Sequence, residues 1–255
     1  AVGGLDFPFI TGTIDHHELG HVNVLFEFAP VRAFAGLLIA RLKFGKRESD
    51  VGLSAQQLKA GLDAVARIEP GFASALKVAG YPEPRIRTRG YGALMRTIVG
   101  QQVSVAAAAS MWRKFEDYAG PELAPERVLE ADFDTLRACG LSRQKQGYMR
   151  SLCELVVSGA LDFEALPEDD EEAIAQLTRI KGIGRWSAEI YLLFAEGRAD
   201  VWPAGDLAVQ AGLHKLLGLA ARPSEKATRE MAEKWRPHRG ATAIFTWHCY
   251  NNPAL

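Results

Sequence analysis

The chain has 255 residues, of which 48% are hydrophobic and 24% are charged, and its formal net charge is −1. This balance excludes a collagen-like or disordered chain, and the near-zero charge excludes nucleic-acid binding by bulk electrostatics alone, although a local basic face is compatible with it. No apolar run reaches the roughly 18 residues that a membrane-spanning helix needs, and the first residues lack the order of a secretory signal. We expect a soluble intracellular protein. Its three scattered cysteines predict reduced thiols rather than a disulfide framework.

Residues 1–50 differ from the rest of the chain. They contain a run of strand-forming residues, HVNVLFEF, and a basic apolar segment without an obvious partner for its apolar groups. We expect an N-terminal extension of unknown role, either natural or a cloning remnant, that is separate from a domain over residues 51–255. Its removal is expected to leave that domain active, since its apolar groups have no evident place in it.

The extension also contains the sequence HHELGH. His17, Glu18 and His21 match the H-E-x-x-H pattern, in which two imidazoles one helical turn apart bind zinc and the glutamate acts as a base. This match makes a zinc peptidase one alternative. However, Gly20 weakens the required helix, and no third ligand follows at the required spacing. A chance match is the favoured interpretation.

From Leu53 onward the sequence predicts helices and no hairpin of strands. Ser54 and Gln57 form a capping box, and Ser104 is placed to cap the helix that runs to Gly120. The predicted class is all-α. Further helices are expected at residues 91–99, 133–139, 144–158, 170–179, 185–195, 207–217, 224–234 and 242–250.

The stretch IKGIGRWSAEI (residues 180–190) interrupts two of these helices. A helix that ends at Lys181 and a second that starts at Arg185 leave unpaired backbone amides at a helix N-terminus, which attracts phosphate. Glycines would allow close backbone approach there. The alternative is a helical hairpin in which Gly182 and Gly184 serve only the turn.

Five segments together resemble one known family. IVGQQVSVAAA (98–108), GLSRQKQGYMRSL (140–152), LTRIKGIGRWSAEIYLLFA (177–195), DVWPAGDLAVQ (200–210) and KWRPHRGATAIFTW (234–247) occur in the order found in helix-hairpin-helix (HhH-GPD) DNA glycosylases. The chain is most similar to the AlkA-like 3-methyladenine DNA glycosylase II type. The resemblance implies a two-lobed all-α fold and double-stranded DNA with damaged bases as the partner. It also implies a monomer without a cofactor, at the nucleoid in the bacterial cytoplasm.

The resemblance also implies the site. Asp206 would be the catalytic carboxylate, Trp186 and Trp247 would line the base pocket, and Gln102 would plug the duplex after the base is flipped out. The alternatives are a helix N-cap for Asp206, core packing for the tryptophans and a solvated loop for Gln102. A monovalent cation at the carbonyls of Ile180–Gly184 is implied as well. The DNA backbone would contact Lys181, Gly182, Ile183, Gly184, Arg185, Arg143 and Lys145.

Three positions qualify this assignment. Members of the family that also cut the strand use a lysine at the position of Trp186, so the sequence predicts a monofunctional enzyme that leaves an abasic site. The family's tyrosine after the catalytic aspartate is Leu207 here, and the acidic residue before it is Gly205. A DNA-damage binder without catalytic activity is the remaining alternative.

Overall fold

The computed structural model describes residues 52–250 and residue 252. The extension and the HHELGH sequence lie outside the described residues. The described part contains helices and no strand, as the sequence predicts, and none of its helices is long and apolar enough to cross a membrane. The helices are α1 (Ala55–Ala66), α2 (Pro70–Ala79), α3 (Tyr91–Gly100), α4 (Val105–Ala119), α5 (Pro125–Glu130), α6 (Phe133–Ala138), α7 (Arg143–Val157), α8 (Asp170–Leu177), α9 (Arg185–Phe194), α10 (Leu207–Leu216), α11 (Glu225–Ala232) and α12 (Arg239–Tyr250), with a 3₁₀ turn at Glu233–Trp235.

The helices pack around two separate hydrophobic cores, which confirms the two-lobed all-α fold. The first lobe is built on α3–α8, with Ile98, Phe115 and Leu152 at its centre. The second lobe combines α1 and α2 with α10–α12, and its core includes Phe72 and Trp235. The second lobe is therefore assembled from both ends of the described chain, and the first lobe is inserted between them.

Helix α9 connects the two cores. Ala188 and Leu192 belong to the first core, whereas Ile190 and Leu193 belong to the second. A helix that is apolar on several faces is expected where both sides are covered by protein. The position of α9 places its N-terminus, which carries Trp186, at the junction of the lobes.

Local signals at the helix ends behave as the sequence predicts. The Ser54–Gln57 capping box is present, and Ser104 accepts the amide of Ala107. Most helix bounds differ from the predicted ones by one or two residues. The short helix α5 is not predicted, and α12 begins at Arg239 rather than at residue 242.

Candidate active site and DNA-binding hairpin

Asp206 is the N-cap of α10, at the end of the tight loop WPAGD. The loop is fixed from both sides: the buried indole of Trp202 donates to the carbonyl of Thr228 at 3.1 Å, and Gln210 Nε2 donates to the carbonyl of Ala204 at 2.9 Å. The amide of Asp206 donates to the carbonyl of Pro203 at 3.0 Å. These bonds fix the backbone position of Asp206, which carries the carboxylate.

Four donors converge on the Asp206 carboxylate. Oδ1 accepts the amides of Ala208 and Val209, both at 2.9 Å, and the indole N–H of Trp247 at 3.0 Å. Oδ2 accepts the indole N–H of Trp186 at 2.8 Å. These hydrogen bonds fix the orientation of the carboxylate at the N-terminus of α10. Asp206 is thus a helix cap and an oriented anion at once.

The two tryptophans that hold Asp206 differ in exposure. Trp186, on α9, is 36% exposed, whereas Trp247, on α12, is 8% exposed and packs against Phe194 with 5.6 Å between ring centroids. Trp247 therefore fits the core-packing alternative while its N–H reaches the carboxylate. Of the two indoles, Trp186 is the more exposed.

Helices α10 and α12 approach closely because of a glycine. A Cβ at Gly212, in the middle of α10, would lie 2.5 Å from the Thr246 methyl group and 2.9 Å from the Thr246 carbonyl oxygen. Thr246 directly precedes Trp247, so the close contact fixes the distance between Trp247 and Asp206. The sequence signal for Gly212 is a glycine inside a helical pattern, where glycine is otherwise unfavourable.

Substituting Gly212 should damage both the fold and the site. We expect Gly212→Ala to lower the free energy of unfolding by about 1–3 kcal/mol, because the new methyl group forces α10 away from α12. Gly147→Ala is the matched control, since Gly147 lies in helix α7 and its added Cβ meets nothing within 4 Å. The control should raise stability by about 0.4–1 kcal/mol. Chemical denaturation measures both, and equal effects would contradict this account of the α10–α12 contact.

The stretch IKGIG forms a turn between α8 and α9. Ile180 and Ile183 are buried, with exposed fractions of 1% and 3%, whereas Lys181, Gly182 and Gly184 are exposed. The isoleucines anchor the turn in the first core and leave the intervening backbone at the surface. The N-terminus of α9 has no side-chain cap.

The two glycines of the turn have different structural requirements. Gly182 has φ +81°, and a Cβ there would lie 2.2 Å from the ring of Tyr148. Gly184, the N-cap of α9, has φ −90° and ψ 175°, and a Cβ there would meet nothing within 4 Å. The fold therefore requires glycine at 182 and does not require it at 184.

Comparison with known proteins places this helix-turn-helix and the following aspartate in a family. Residues 95–238 match the model of the HhH-GPD superfamily base excision DNA repair proteins. The chain belongs to this family.

Individual relatives agree with the HhH-GPD assignment. DNA-3-methyladenine glycosylase 1 of Schizosaccharomyces pombe is 35% identical over 161 residues, which cover 62% of this chain and 71% of the relative. DNA-3-methyladenine glycosylase 2 of Escherichia coli is 26% identical over 245 residues, which cover 92% of this chain and 78% of the relative. A solved 3-methyladenine DNA glycosylase of S. pombe, in complex with abasic DNA, is 31% identical with a TM-score of 0.63 and covers 74% of this chain and 95% of that one.

The match to the E. coli relative bears on residues 1–50. Because it leaves only about 20 residues of this chain uncovered, it includes the larger part of that region. The separation of residues 1–50 from the domain over residues 51–255 remains a prediction.

Two of the expected DNA-contacting cations, Arg185 and Lys145, have partners within the protein. The guanidinium of Arg185 binds Glu171 across the hairpin at 2.8 Å and Glu189 at 2.9 Å, and it lowers the pKa of the Glu171 carboxyl mainly through their hydrogen bond. Lys145 is 8% exposed, its amine donates to the carbonyl of Val99, and burial lowers its pKa. These contacts give Arg185 and Lys145 structural partners, and their predicted contacts with the DNA backbone remain predictions.

Arg143 and Lys181 remain at the surface near the hairpin. The guanidinium of Arg143, at the start of α7, lies 4.3 Å from the ring centroid of Phe133, and Lys181 is exposed at the turn. A cation stacked on an aromatic ring keeps most of its N–H donors available. These two residues fit the expected backbone contacts.

The turn carbonyls were expected to hold a monovalent cation. The carbonyls of Ile180, Gly182 and Gly184 accept hydrogen bonds from Ile183 N, Gln101 Nε2 and Ala188 N, respectively. In-chain bonds thus hold the turn together, and the mechanism proposed below uses no cation. Among residues 52–250 and 252, no group of three His, Cys, Asp or Glu side chains could hold a metal ion.

Gln102 lies in the loop between α3 and α4. It is exposed, and its φ of +54° is in the left-handed region, which is uncommon for a residue with a side chain. The next residue, Val103, is 36% exposed. Both side chains project from a short loop whose backbone is strained, which fits a loop tip that enters a duplex.

Removing the strain at Gln102 separates stability from function. Gln102→Gly should leave the free energy of unfolding unchanged or raise it by up to about 1 kcal/mol, because glycine adopts a positive φ without steric cost. Excision of a damaged base from a duplex should fall about tenfold, since the side chain that fills the gap is lost. Gln102→Ala keeps the strain and should lose similar activity without the gain in stability. Normal excision by both variants would exclude Gln102 as the plug.

The structure shows the surroundings of the two residues that depart from the family pattern. Leu207, in place of the tyrosine, is 63% exposed beside Asp206. Gly205, in place of the acidic residue, has the Glu225 carboxylate 3.3 Å from the position that a Cβ would occupy. A different helix, α11, therefore brings a carboxylate next to the position from which the acidic side chain is missing.

Proposed function

We propose that this HhH-GPD protein is a monofunctional DNA-3-methyladenine glycosylase, which flips an alkylated purine out of double-stranded DNA and hydrolyses its N-glycosidic bond. The observation that carries the proposal is the oriented Asp206 carboxylate, held by two indole N–H groups and two backbone amides at the junction of the lobes. Relatives named as 3-methyladenine glycosylases give the substrate class.

The chemistry follows from the charge of Asp206. When the bond between the base and C1′ breaks, its electron pair leaves with the base and positive charge develops on the sugar. A carboxylate whose position is fixed before the reaction stabilises that charge without reorganisation. Water then adds to C1′ and loses a proton, which gives a free base and an abasic site. In this proposal Asp206 acts mainly through its charge.

In this proposal Trp186 recognises the alkylated base. An alkylated purine such as 3-methyladenine carries a positive charge within its ring system, and the face of an indole attracts cations by roughly 0.5–2 kcal/mol. The exposed surface of Trp186 lies next to the carboxylate to which its N–H is bound. The same side chain can therefore stack on the base and hold Asp206 in place.

In this proposal the hairpin binds the DNA backbone. The exposed backbone of Gly182 and Gly184 precedes the uncapped N-terminus of α9, and this arrangement binds phosphate through amide N–H groups and the helix dipole. Lys181 and Arg143 add positive charge. Because these contacts are electrostatic, log K for DNA should fall by about 0.9 per log unit of salt for each phosphate neutralised.

The proposal is tested by incubating the purified full-length protein with methylated DNA and identifying the released bases by chromatography. We expect free 3-methyladenine to accumulate with time. We also expect no covalent enzyme–DNA adduct after borohydride treatment, because Trp186 cannot form a Schiff base. DNA binding without base release would favour the damage-binding alternative, and a trapped adduct would contradict the monofunctional assignment.

A further inference from the structure

The loop that carries Gln102 is bonded to the hairpin by its preceding residue. Gln101 Nε2 donates to the carbonyl oxygen of Gly182 at 2.9 Å, although the two residues are 81 positions apart. The bond joins the exposed backbone of the hairpin turn to the residue next to the strained Gln102. It is a direct connection between the two parts of the surface that are proposed to contact DNA.

The segments on both sides of this bond contact the same helix, α7. On the loop side, the amine of Lys145 donates to the carbonyl of Val99, in the last turn of α3. This buried contact fixes the end of the helix from which the Gln102 loop emerges. Lys145 therefore has a structural role in this arrangement, which a contact with phosphate would not explain.

On the hairpin side, α7 holds the turn through two other residues. Ser151 Oγ accepts the amide of Lys181 at 3.2 Å. The ring of Tyr148 lies so close to Gly182 that no side chain fits between them. The bond from Gln101 thus closes a triangle formed by the end of α3, helix α7 and the hairpin turn.

We propose that Gln101 is a positioning residue that couples docking of the hairpin on the DNA backbone to insertion of the Gln102 loop. With the turn and the loop held at a fixed separation, binding of the hairpin to phosphates places the loop tip against the base stack. Part of the backbone binding energy then offsets the cost of unstacking the damaged nucleotide. This inference rests on the proposed function, but it concerns how two contacts act together rather than which bond is cleaved.

The coupling is tested with Gln101→Met, which keeps the length of the side chain and removes its N–H donor. Affinity for an undamaged duplex should stay within about twofold of wild type, since the hairpin amides and Lys181 are unchanged. Single-turnover excision of 7-methylguanine should fall about 3- to 10-fold, the range expected for one hydrogen bond. The fluorescence of 2-aminopurine placed next to the lesion rises on unstacking, and this rise should be smaller in the variant.

A double-mutant cycle with Gln102→Ala separates coupling from a general structural effect. If Gln101 acts through the loop, Gln102→Ala should have a smaller effect on excision in the Gln101→Met background than in wild type. Additive effects, or equal losses of affinity for damaged and undamaged duplexes, would contradict the proposal. Thermal unfolding of each variant checks that the fold is retained. An inactive wild type would refute the proposed function instead, so the two failures are distinguishable.

Discussion

Asp206→Asn is expected to abolish most base release while the protein still folds. The amide keeps the shape of the side chain, and its oxygen can still accept the backbone amides at the start of α10. It lacks the negative charge that stabilises the developing oxocarbenium ion. Loss of one preorganised electrostatic group typically raises the activation barrier by about 2.7–4 kcal/mol, which corresponds to at least about a hundredfold slower excision.

The asparagine also conflicts with Trp186. If its oxygen takes the place of Oδ1, its NH₂ group faces the indole N–H that now binds Oδ2, and two donors then oppose each other. We expect the Trp186 fluorescence to change in this variant. Asp132→Asn is the matched control, since Asp132 caps α6 by accepting the amide of Thr135 at 2.7 Å, far from the site in sequence. Near-normal excision by the folded Asp206→Asn variant would refute the catalytic assignment.

Gly184→Asp is expected to strengthen the fold and weaken DNA binding. The backbone at 184 suits an N-cap, the added Cβ has open space, and a carboxylate complements the N-terminus of α9. The free energy of unfolding should rise by about 0.5–1 kcal/mol. The same charge would repel a phosphate docked on the hairpin, so affinity for any duplex should fall about 10- to 100-fold at low salt, with the loss shrinking as salt is added.

Gly184→Ser separates charge from bulk. Serine caps the helix without a net charge, so its loss of affinity should be smaller and should depend less on salt. Gly182→Ala should lower the stability of the protein, in contrast to the two Gly184 variants. Residue 182 has a positive φ, and the Tyr148 ring leaves no room for a side chain there. Unchanged DNA affinity in Gly184→Asp, measured by fluorescence anisotropy, would remove the hairpin from the interface.

Local signals in the sequence predict much of this fold and the centre of the site. Hydroxyl and carboxylate caps, such as Ser104 and Asp206, act within three residues, so their geometry follows from the sequence alone. The sequence predicts the start of α12 too late, at residue 242, since Gly240 is a poor helix former. Its actual role is close packing, since a Cβ there would lie 2.7 Å from the carbonyl oxygen of Ala199. At that position tertiary packing outweighs the low helix propensity of glycine.

Long-range partners account for what the sequence could not predict. The sequence predicts that Arg185 binds phosphate, and nothing local indicates that Glu171, 14 positions earlier, and Glu189 bind its guanidinium within the protein. The bond from Gln101 to Gly182 and the close fit of Gly212 against Thr246 likewise depend on which helices become neighbours. Motifs indicate the roles proposed for Asp206 and Trp186, whereas packing decides which partners the nearby charged side chains have within the protein.

The most direct test of the proposed function is a single-turnover assay on a duplex that carries one 7-methylguanine. The labelled strand is analysed with and without alkali treatment. We predict time-dependent formation of abasic sites, so that the strand breaks only after alkali, and a rate at least about a hundredfold lower for Asp206→Asn. Strands that stay intact after alkali, or that break without it, would contradict a hydrolytic monofunctional glycosylase centred on Asp206.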